Sequence, residues 1–374
     1  MHIAEPAEQA THATGPNGAQ PDRTGQVTGE GSPTREKKAL RWLRPEVRWG
    51  VTAFLAVLVV EYFVLPQLAG ARKALRLLGQ VNAGFMVLGL VLEVGALVAY
   101  SQLTHTVLPA GSPSRPRLMK INLSTLAVSH VAPGGTAAGA PVLYRLLTES
   151  GVRTADATFA LAMQGVGSAA VLNMIFWLAL VVSIPMHGYN PIYGVAATAG
   201  AVMLAIFATI LLMLTRARDR SLGIVRKFAR WAHWAPFVDP ESVVGGVDRL
   251  AERLAALLRT PPLLYRALLW ATANWLLDAA SLWVFVASFH HLVNPVDLLV
   301  AYGMANVLAV IPITPSGLGV IEGVLIPTLA GFGVPKGAAI LGVLAYRLGN
   351  FWLPIPAGGA AYLSLRLEGS AKRP

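Results

Sequence analysis

The chain has no cysteine, little charge and fewer acids than bases. Zero cysteines in 374 residues exclude disulfides, thiolate metal sites and a cysteine nucleophile together. Charged residues make up only 13% of the chain, about half of the roughly 25% usual in a soluble domain. With 55% apolar residues, the chain falls in the membrane class. Catalytic signatures are equally scarce. There is no Gly-x-Ser-x-Gly, no His-Glu-x-x-His and no Walker Gly-Lys-Ser/Thr. His290 and His291 are adjacent and cannot share a helical face, and His130 stands alone, as a packing histidine does. The expectation is a protein that is not an enzyme and carries no cofactor and no metal.

What is present is basic charge in a membrane pattern. The net charge of +11 sits in the tails and between apolar runs, without the interleaved aromatics of a nucleic-acid surface, so nucleic acid is not an expected partner. Residues 1–44 are polar, then basic, and read as a disordered cytoplasmic tail. Six apolar runs are long enough to cross a hydrocarbon core of about 30 Å, which takes roughly 20 helical residues. They are 49–65, 81–104, 157–185, 191–215, 263–289 and 338–365. With the N-terminus inside, the cytoplasmic segments hold nine basic residues between Arg216 and Arg259, and also Arg366, Lys372 and Arg373. The outside holds Arg72, Lys73, Arg76 and Lys336. That asymmetry predicts a multi-pass protein of the cell membrane with both termini cytoplasmic. Within the loop 216–260, Asp248, Arg249, Glu252 and Arg253 alternate with leucines at helical spacing, which predicts an amphipathic helix lying on the headgroups.

Two further regions, 118–147 and 296–330, are apolar but broken by glycine-proline segments. The first reads Pro133-Gly134-Gly135-Thr136-Ala137-Ala138-Gly139 and the second Pro315-Ser316-Gly317-Leu318-Gly319-Val320-Ile321-Glu322-Gly323. Interrupted apolar segments at corresponding places in two halves point to a transport site. Irregular backbone at membrane depth must be buried in protein or line a wet cavity. Each region is expected to form a re-entrant hairpin or a pair of half-helices, the two inverted relative to each other. If the broken regions instead cross fully, the chain has eight spans and inversion no longer follows. The fold expected is all-α and polytopic, with about six full transmembrane helices plus these two hairpins, over residues 45–366. A short cytoplasmic tail, 367–374, follows.

Ionisable residues inside spans are expensive and each needs a reason. Glu61, Glu93, Asp278, Glu322 and Arg347 qualify. Glu61 lies where it can snorkel. Asn274 and Asp278, four apart, and Arg347 and Asn350, three apart, each project a polar stripe from one helical face. Asp278 and Arg347 are expected either to pair across two helices or to face a substrate. Glu322 follows the second glycine segment, where a carboxylate either stabilises a helix N-terminus or meets a cationic headgroup group or carries a coupling proton. Free backbone N–H groups before a half-helix suit phosphate, whereas glycines alone can also serve a tight reversal.

Several of these residues carry a resemblance. Asn122 through the first glycine segment to Tyr144-Arg145-Leu146-Leu147 and Gly151, the second glycine segment, and Tyr346-Arg347-Leu348 with Phe351-Trp352-Leu353-Pro354 resemble three signatures of the lysylphosphatidylglycerol synthase transmembrane-region family. The likeness covers residues 45–366. It implies a lipid flippase, as is proposed for this region in the multiple peptide resistance factor. Thr136-Ala137-Ala138 stand here where many relatives carry a Glu. No aminoacyltransferase segment accompanies the region, so synthesis of the lipid is not expected.

The reading is a flippase moving an anionic or aminoacylated phospholipid, or a polyprenyl-phosphate lipid, between leaflets. Its substrate-binding residues would be Pro133, Gly134, Gly135, Arg145, Asn274, Asp278, Asn306, Pro315, Gly317, Gly319, Glu322, Arg347 and Asn350. Arg145 and Arg347 would bind phosphate in one cavity, while Asp278 and Glu322 would balance them, meet a headgroup amine or titrate during coupling. A separate lipid-synthesising enzyme would be its partner. The alternatives are a non-transporting scaffold for such an enzyme and a membrane-embedded lipid-modifying enzyme.

Overall fold

The computed structural model describes residues 81–132, 135–187, 191–216, 240–309 and 315–370, with Gly223 and Lys227. The expected tail 1–44, the first span, Glu61, the cluster 72–76, Pro133 and Gly134 lie outside the described residues. Every regular element among the described residues is helical. The helix α1 spans Ala83–Val107 and is started by Asn82, whose Oδ1 accepts from the amides of Gly84 and Phe85 at 3.0 and 3.3 Å. Its outer face carries Val87, Val91 and Val94, each more than half exposed. Such a stripe suits lipid rather than water.

The first broken region forms α2 (Arg115–Val131) and α3 (Thr136–Glu149). Next comes a span made of α4 (Thr154–Ala162), a π-turn (Met163–Gly167) and α5 (Ser168–His187). Then come α6 (Pro191–Arg216) and α7 (Pro240–Leu258). The second half begins with α8 (Pro261–Ala287). The second broken region gives α9 (Pro295–Ala309), a 3₁₀ turn (Pro315–Gly317) and α10 (Val320–Gly331). A last span joins α11 (Lys336–Arg347), a π-turn (Leu348–Trp352) and α12 (Pro354–Ser370). Four of these units are long and apolar enough to cross a membrane: Ala83–Val107, Thr154–Pro185, Pro261–Ala287 and Lys336–Glu368.

The order helix, broken hairpin, span with a π-turn therefore occurs twice. Contacts between α1 and α8 show that the copies are inverted. Asn82 N meets Ser288 O at 3.1 Å, Gly89 lies against the Phe285 ring, Ser281 bonds Glu93, and Gly95 faces Leu277. Numbers rise on one helix as they fall on the other, so the C-termini of α1 and α8 point to opposite ends of the bundle. Each hairpin follows one of those C-termini and so enters from its own end.

The arms are 17, 14, 15 and 12 residues long. At 1.5 Å per residue they reach about 18–26 Å, short of a hydrocarbon core of about 30 Å. Both regions therefore re-enter rather than cross. Arg117 Nε reaches Ser150 Oγ at 3.1 Å, placing the start of α2 beside the end of α3. Gly342 of α11 packs on Val286 of α8, so the second hairpin likewise hands the chain back at the end where it began.

The helix α7 departs from expectation in its surroundings. Its apolar face is taken up by the protein: Leu257 is buried, and Leu250 and Leu254 pack into the same cluster as Ala160, Leu263 and Ala267. The cause is electrostatic as well as apolar, because Arg253 pairs with the buried carboxylate of Asp156 on α4. The face is thus unavailable to headgroups.

Candidate functional site

The two glycine segments meet. Ser316 Oγ donates to the carbonyl of Ser129 at 2.9 Å, and an added Cβ on Gly135 would lie 3.1 Å from Ser316 N. Gly135, Gly317 and Gly319 all have positive φ (57, 68 and 83°), a region open to glycine without strain. Gly317 also abuts Ala309 so closely that a Cβ would sit 2.7 Å from the alanine Cβ. These glycines permit tight reversals that bring two hairpin tips together. Pro315 opens the 3₁₀ turn at the second tip.

Beside the tips lies a buried ion pair. Arg347 Nε donates to Glu322 Oε1 at 2.6 Å, and the side chains are 4% and 8% exposed. Glu322 Oε2 accepts from the amide of Gly319 at 2.6 Å, so the same carboxylate closes the N-terminus of α10 and fixes the guanidinium. The guanidinium also lies 4.6 Å over the Phe351 ring. His130 also stacks on that ring at 4.6 Å and meets the Phe351 carbonyl through Nδ1 at 3.0 Å. Arg347 Nη2 is buried without a hydrogen-bond partner among the described residues. A free guanidinium N–H near the N-terminus of α10 is chemically an anion site.

A second polar group lies next to it. Asp278 of α8 accepts from Tyr346 at 3.1–3.2 Å, from Asn350 Nδ2 at 2.8 Å and from the Tyr302 hydroxyl. Glu93 of α1 accepts from Ser281 at 2.6 Å and weakly from Asn350 at 3.4 Å. The expected Asp278–Arg347 pair is thereby corrected. Arg347 is drawn to Glu322, which sits at the start of α10, and Asp278 is left with neutral donors.

The first repeat carries a counterpart. Asn122 of α2 donates to Ser101 and Thr104 of α1 at 3.2 and 3.1 Å and accepts from Gln164 at 2.9 Å; Gln164 also donates to Thr104. In both repeats a π-turn supplies the amide, Gln164 in one and Asn350 in the other. The bulge of a π-turn turns a side chain out of the helical register, which is why such turns mark special sites.

The structure does not bring all the expected site residues together. Arg145 is 61% exposed and pairs with Glu149 at 2.6 Å; it lines an apolar cavity of about 680 Å³ between α2, α3 and α12. It sits on the part of α3 that leads away from the tip, apart from the Arg347–Glu322 pair. Asn306 bonds the carbonyl of Tyr302 in its own helix at 3.0 Å, and Asn274 is half-buried one turn before Asp278. Sequence reasoning omitted Glu93 from the site, and it missed Ser281, Tyr302 and Gln164. The signal for Glu93 was its position mid-span; for the hydroxyls, nothing in a single sequence separates them from ordinary helix residues.

Residues 50–358 match the family described as the lysylphosphatidylglycerol synthase TM region, and the chain belongs to that family. A UPF0104 membrane protein of Methanothermobacter thermautotrophicus is 23% identical over 348 residues, which span 86% of this chain and 95% of that protein. The inner membrane protein YbhN of Escherichia coli is 31% identical over 103 residues, 28% of this chain and 31% of its own length. A UPF0104 membrane protein of Methanocaldococcus jannaschii is 27% identical over 107 residues, 29% of this chain and 32% of its own length. Family and helices together make this chain a polytopic membrane protein.

Proposed function

We propose that this protein moves a phosphate-bearing lipid between the leaflets of the cell membrane and leaves it chemically unaltered. The observation that carries the reading is the meeting of two hairpins from opposite ends of the bundle beside a buried guanidinium with a free N–H. Inverted hairpins joined at their tips give a site that either leaflet can reach by movement of one hairpin. An anionic or aminoacylated phospholipid and a polyprenyl phosphate share the phosphate that Arg347 would engage. A separate lipid-synthesising enzyme would supply the substrate.

The end holding Arg117, Lys120, Arg153 and Arg253 would face the cytoplasm, by the positive-inside rule. Both termini would lie on that side. Without a nucleotide motif, the movement would be passive or driven by an ion.

The test is exchange of headgroup-labelled phosphatidylglycerol in proteoliposomes, comparing wild type with Arg347→Lys. Lysine keeps the charge opposite Glu322 but lacks the second nitrogen fork. The expected result is fast exchange in the wild type and a loss of about tenfold or more in the variant, as for removal of one charge-assisted bond. Wild-type exchange no faster than protein-free vesicles would overturn the reading.

A further inference from the structure

The acidic group around Asp278 is not needed to hold an anion, and its composition asks for another explanation. Glu93 and Asp278 come from different helices, and the same amide nitrogen, Asn350 Nδ2, donates to both carboxyls, at 3.4 and 2.8 Å. Two carboxyls brought together on one donor can bond each other only through a proton, because two carboxylates have acceptors only. No Lys or Arg among the described residues pairs with either one. All their other partners are neutral: Ser281, Tyr302, Tyr346 and Asn350. Two like charges in contact inside a bundle are disfavoured when nothing cationic offsets them.

The groups facing the pair from the packed elements are Tyr302 of α9, Tyr346 of α11 and the amide of Asn350. Arg347 lies one residue beyond Tyr346 and is turned to Glu322 of α10, and both it and His130 of α2 pack on the Phe351 ring. Of these, Tyr302 belongs to an arm of the second hairpin. Its hydroxyl is a direct link from the acid pair to an element whose tip touches the first hairpin.

We propose that Glu93 and Asp278 hold one exchangeable proton between them, and that its release and return move the second hairpin through Tyr302. The coupling to lipid rests on the transport reading above; the shared proton does not. On release, the O–H bond of the pair breaks, its electrons stay on the carboxylate, and the proton passes to water entering from one end. The pair then carries two charges, and the Tyr302, Tyr346, Asn350 and Ser281 donors must rearrange around them. Return of a proton from the other end restores the bond. The neutral Asn122–Gln164 counterpart has no such group, so the first hairpin stays fixed while the second moves.

Two measurements on the full chain test this separately. Infrared difference spectra of the protein in lipid nanodiscs are recorded over a pH series for wild type and the isosteric Glu93→Gln/Asp278→Asn double variant. The expected result is a protonated-carboxyl band in the wild type that bleaches with rising pH and is missing from the double variant. A wild type without the band, or a band that survives in the double variant, would overturn the shared proton.

The second measurement follows labelled phosphatidylglycerol in phosphatidylglycerol/phosphatidylcholine vesicles under an imposed pH gradient. Several-fold acceleration in the wild type, with none in Glu93→Gln, is expected. A rate indifferent to the gradient would overturn the coupling and leave the band standing. No lipid movement under any gradient, with the band present, would instead overturn the transport reading and the coupling with it.

Discussion

The two repeats tie the same three elements together with different chemistry. In each, the opening helix, the first hairpin arm and the π-turn converge on one polar cluster. The first cluster is Ser101, Thr104, Asn122 and Gln164; the second is Asp278, Tyr302, Tyr346 and Asn350, joined by Glu93 and Ser281 from the α1–α8 contact. Amides and hydroxyls can satisfy one another completely, so the first cluster is a structural clasp. Carboxyls cannot satisfy each other without a proton, so the second is a clasp with two charge states. The difference teaches that symmetry of the backbone does not carry symmetry of role. One hairpin is pinned, while the other is held by a bond that pH can change.

The harshest way to break the comparison is Asp278→Ala. It deletes the acceptor of Tyr302, Tyr346 and Asn350 at once, and each orphaned buried donor costs about 1–3 kcal/mol. A destabilisation on the order of 4 kcal/mol is expected, at the diagnostic end for single substitutions. Unfolding of the purified protein in mild detergent, followed by helical circular dichroism, measures it. A change near zero would mean that water or the remaining polar groups take over these bonds, and the clasp description of the second repeat would fail.

How much of this arrangement was visible in the sequence follows from the physics of each residue. The broken regions were visible because glycine and proline interrupt apolar runs, whatever surrounds them. Re-entrant hairpins were expected, but the choice between re-entry and crossing was not visible, because it depends on Arg117 meeting Ser150 and Gly342 meeting Val286, contacts between distant positions. Glu322 and Arg347 stood out because charge in a span is costly; their mutual pairing did not, since Asp278 was an equally available partner. Arg145 was misplaced because a hairpin arm carries a residue toward its open end, and sequence proximity to the tip does not fix depth. The π-turns were invisible: nothing in Met163–Gly167 or Leu348–Trp352 announces an i+5 turn. Those turns deliver Gln164 and Asn350, so the matched clusters could not be read from the chain.

A gentler comparison is Gln164→Leu in the neutral cluster. The substitution keeps bulk and removes the donors to Thr104 and Asn122. Asn122 keeps its own bonds to Ser101 and Thr104, so chiefly one buried carbonyl is left unsatisfied, at about 1–3 kcal/mol. The same unfolding measurement should show a loss of about 2 kcal/mol. Lipid exchange in vesicles should keep the wild-type response to a pH gradient. Loss of that response would place the pH-sensitive element in the first repeat and reverse the assignment of roles.

The smallest effect on stability, and the most discriminating one, belongs to Tyr302→Phe. Only the hydroxyl goes; the ring stays in the core, where Tyr302 is 1% exposed, and no buried donor is orphaned. Asp278 still accepts from Tyr346 and Asn350, so the expected cost is about 1 kcal/mol. The shared proton should persist, and its infrared band should remain. What should vanish is its influence on the second hairpin, because the one hydrogen bond from that hairpin to the acid pair among the described residues is cut. Lipid exchange would then proceed at a rate indifferent to the gradient. If exchange in Tyr302→Phe stayed as gradient-sensitive as in the wild type, the proton would be acting by another route. Asn350 would be the next residue to remove, since it bridges the acid pair from the π-turn rather than from the hairpin.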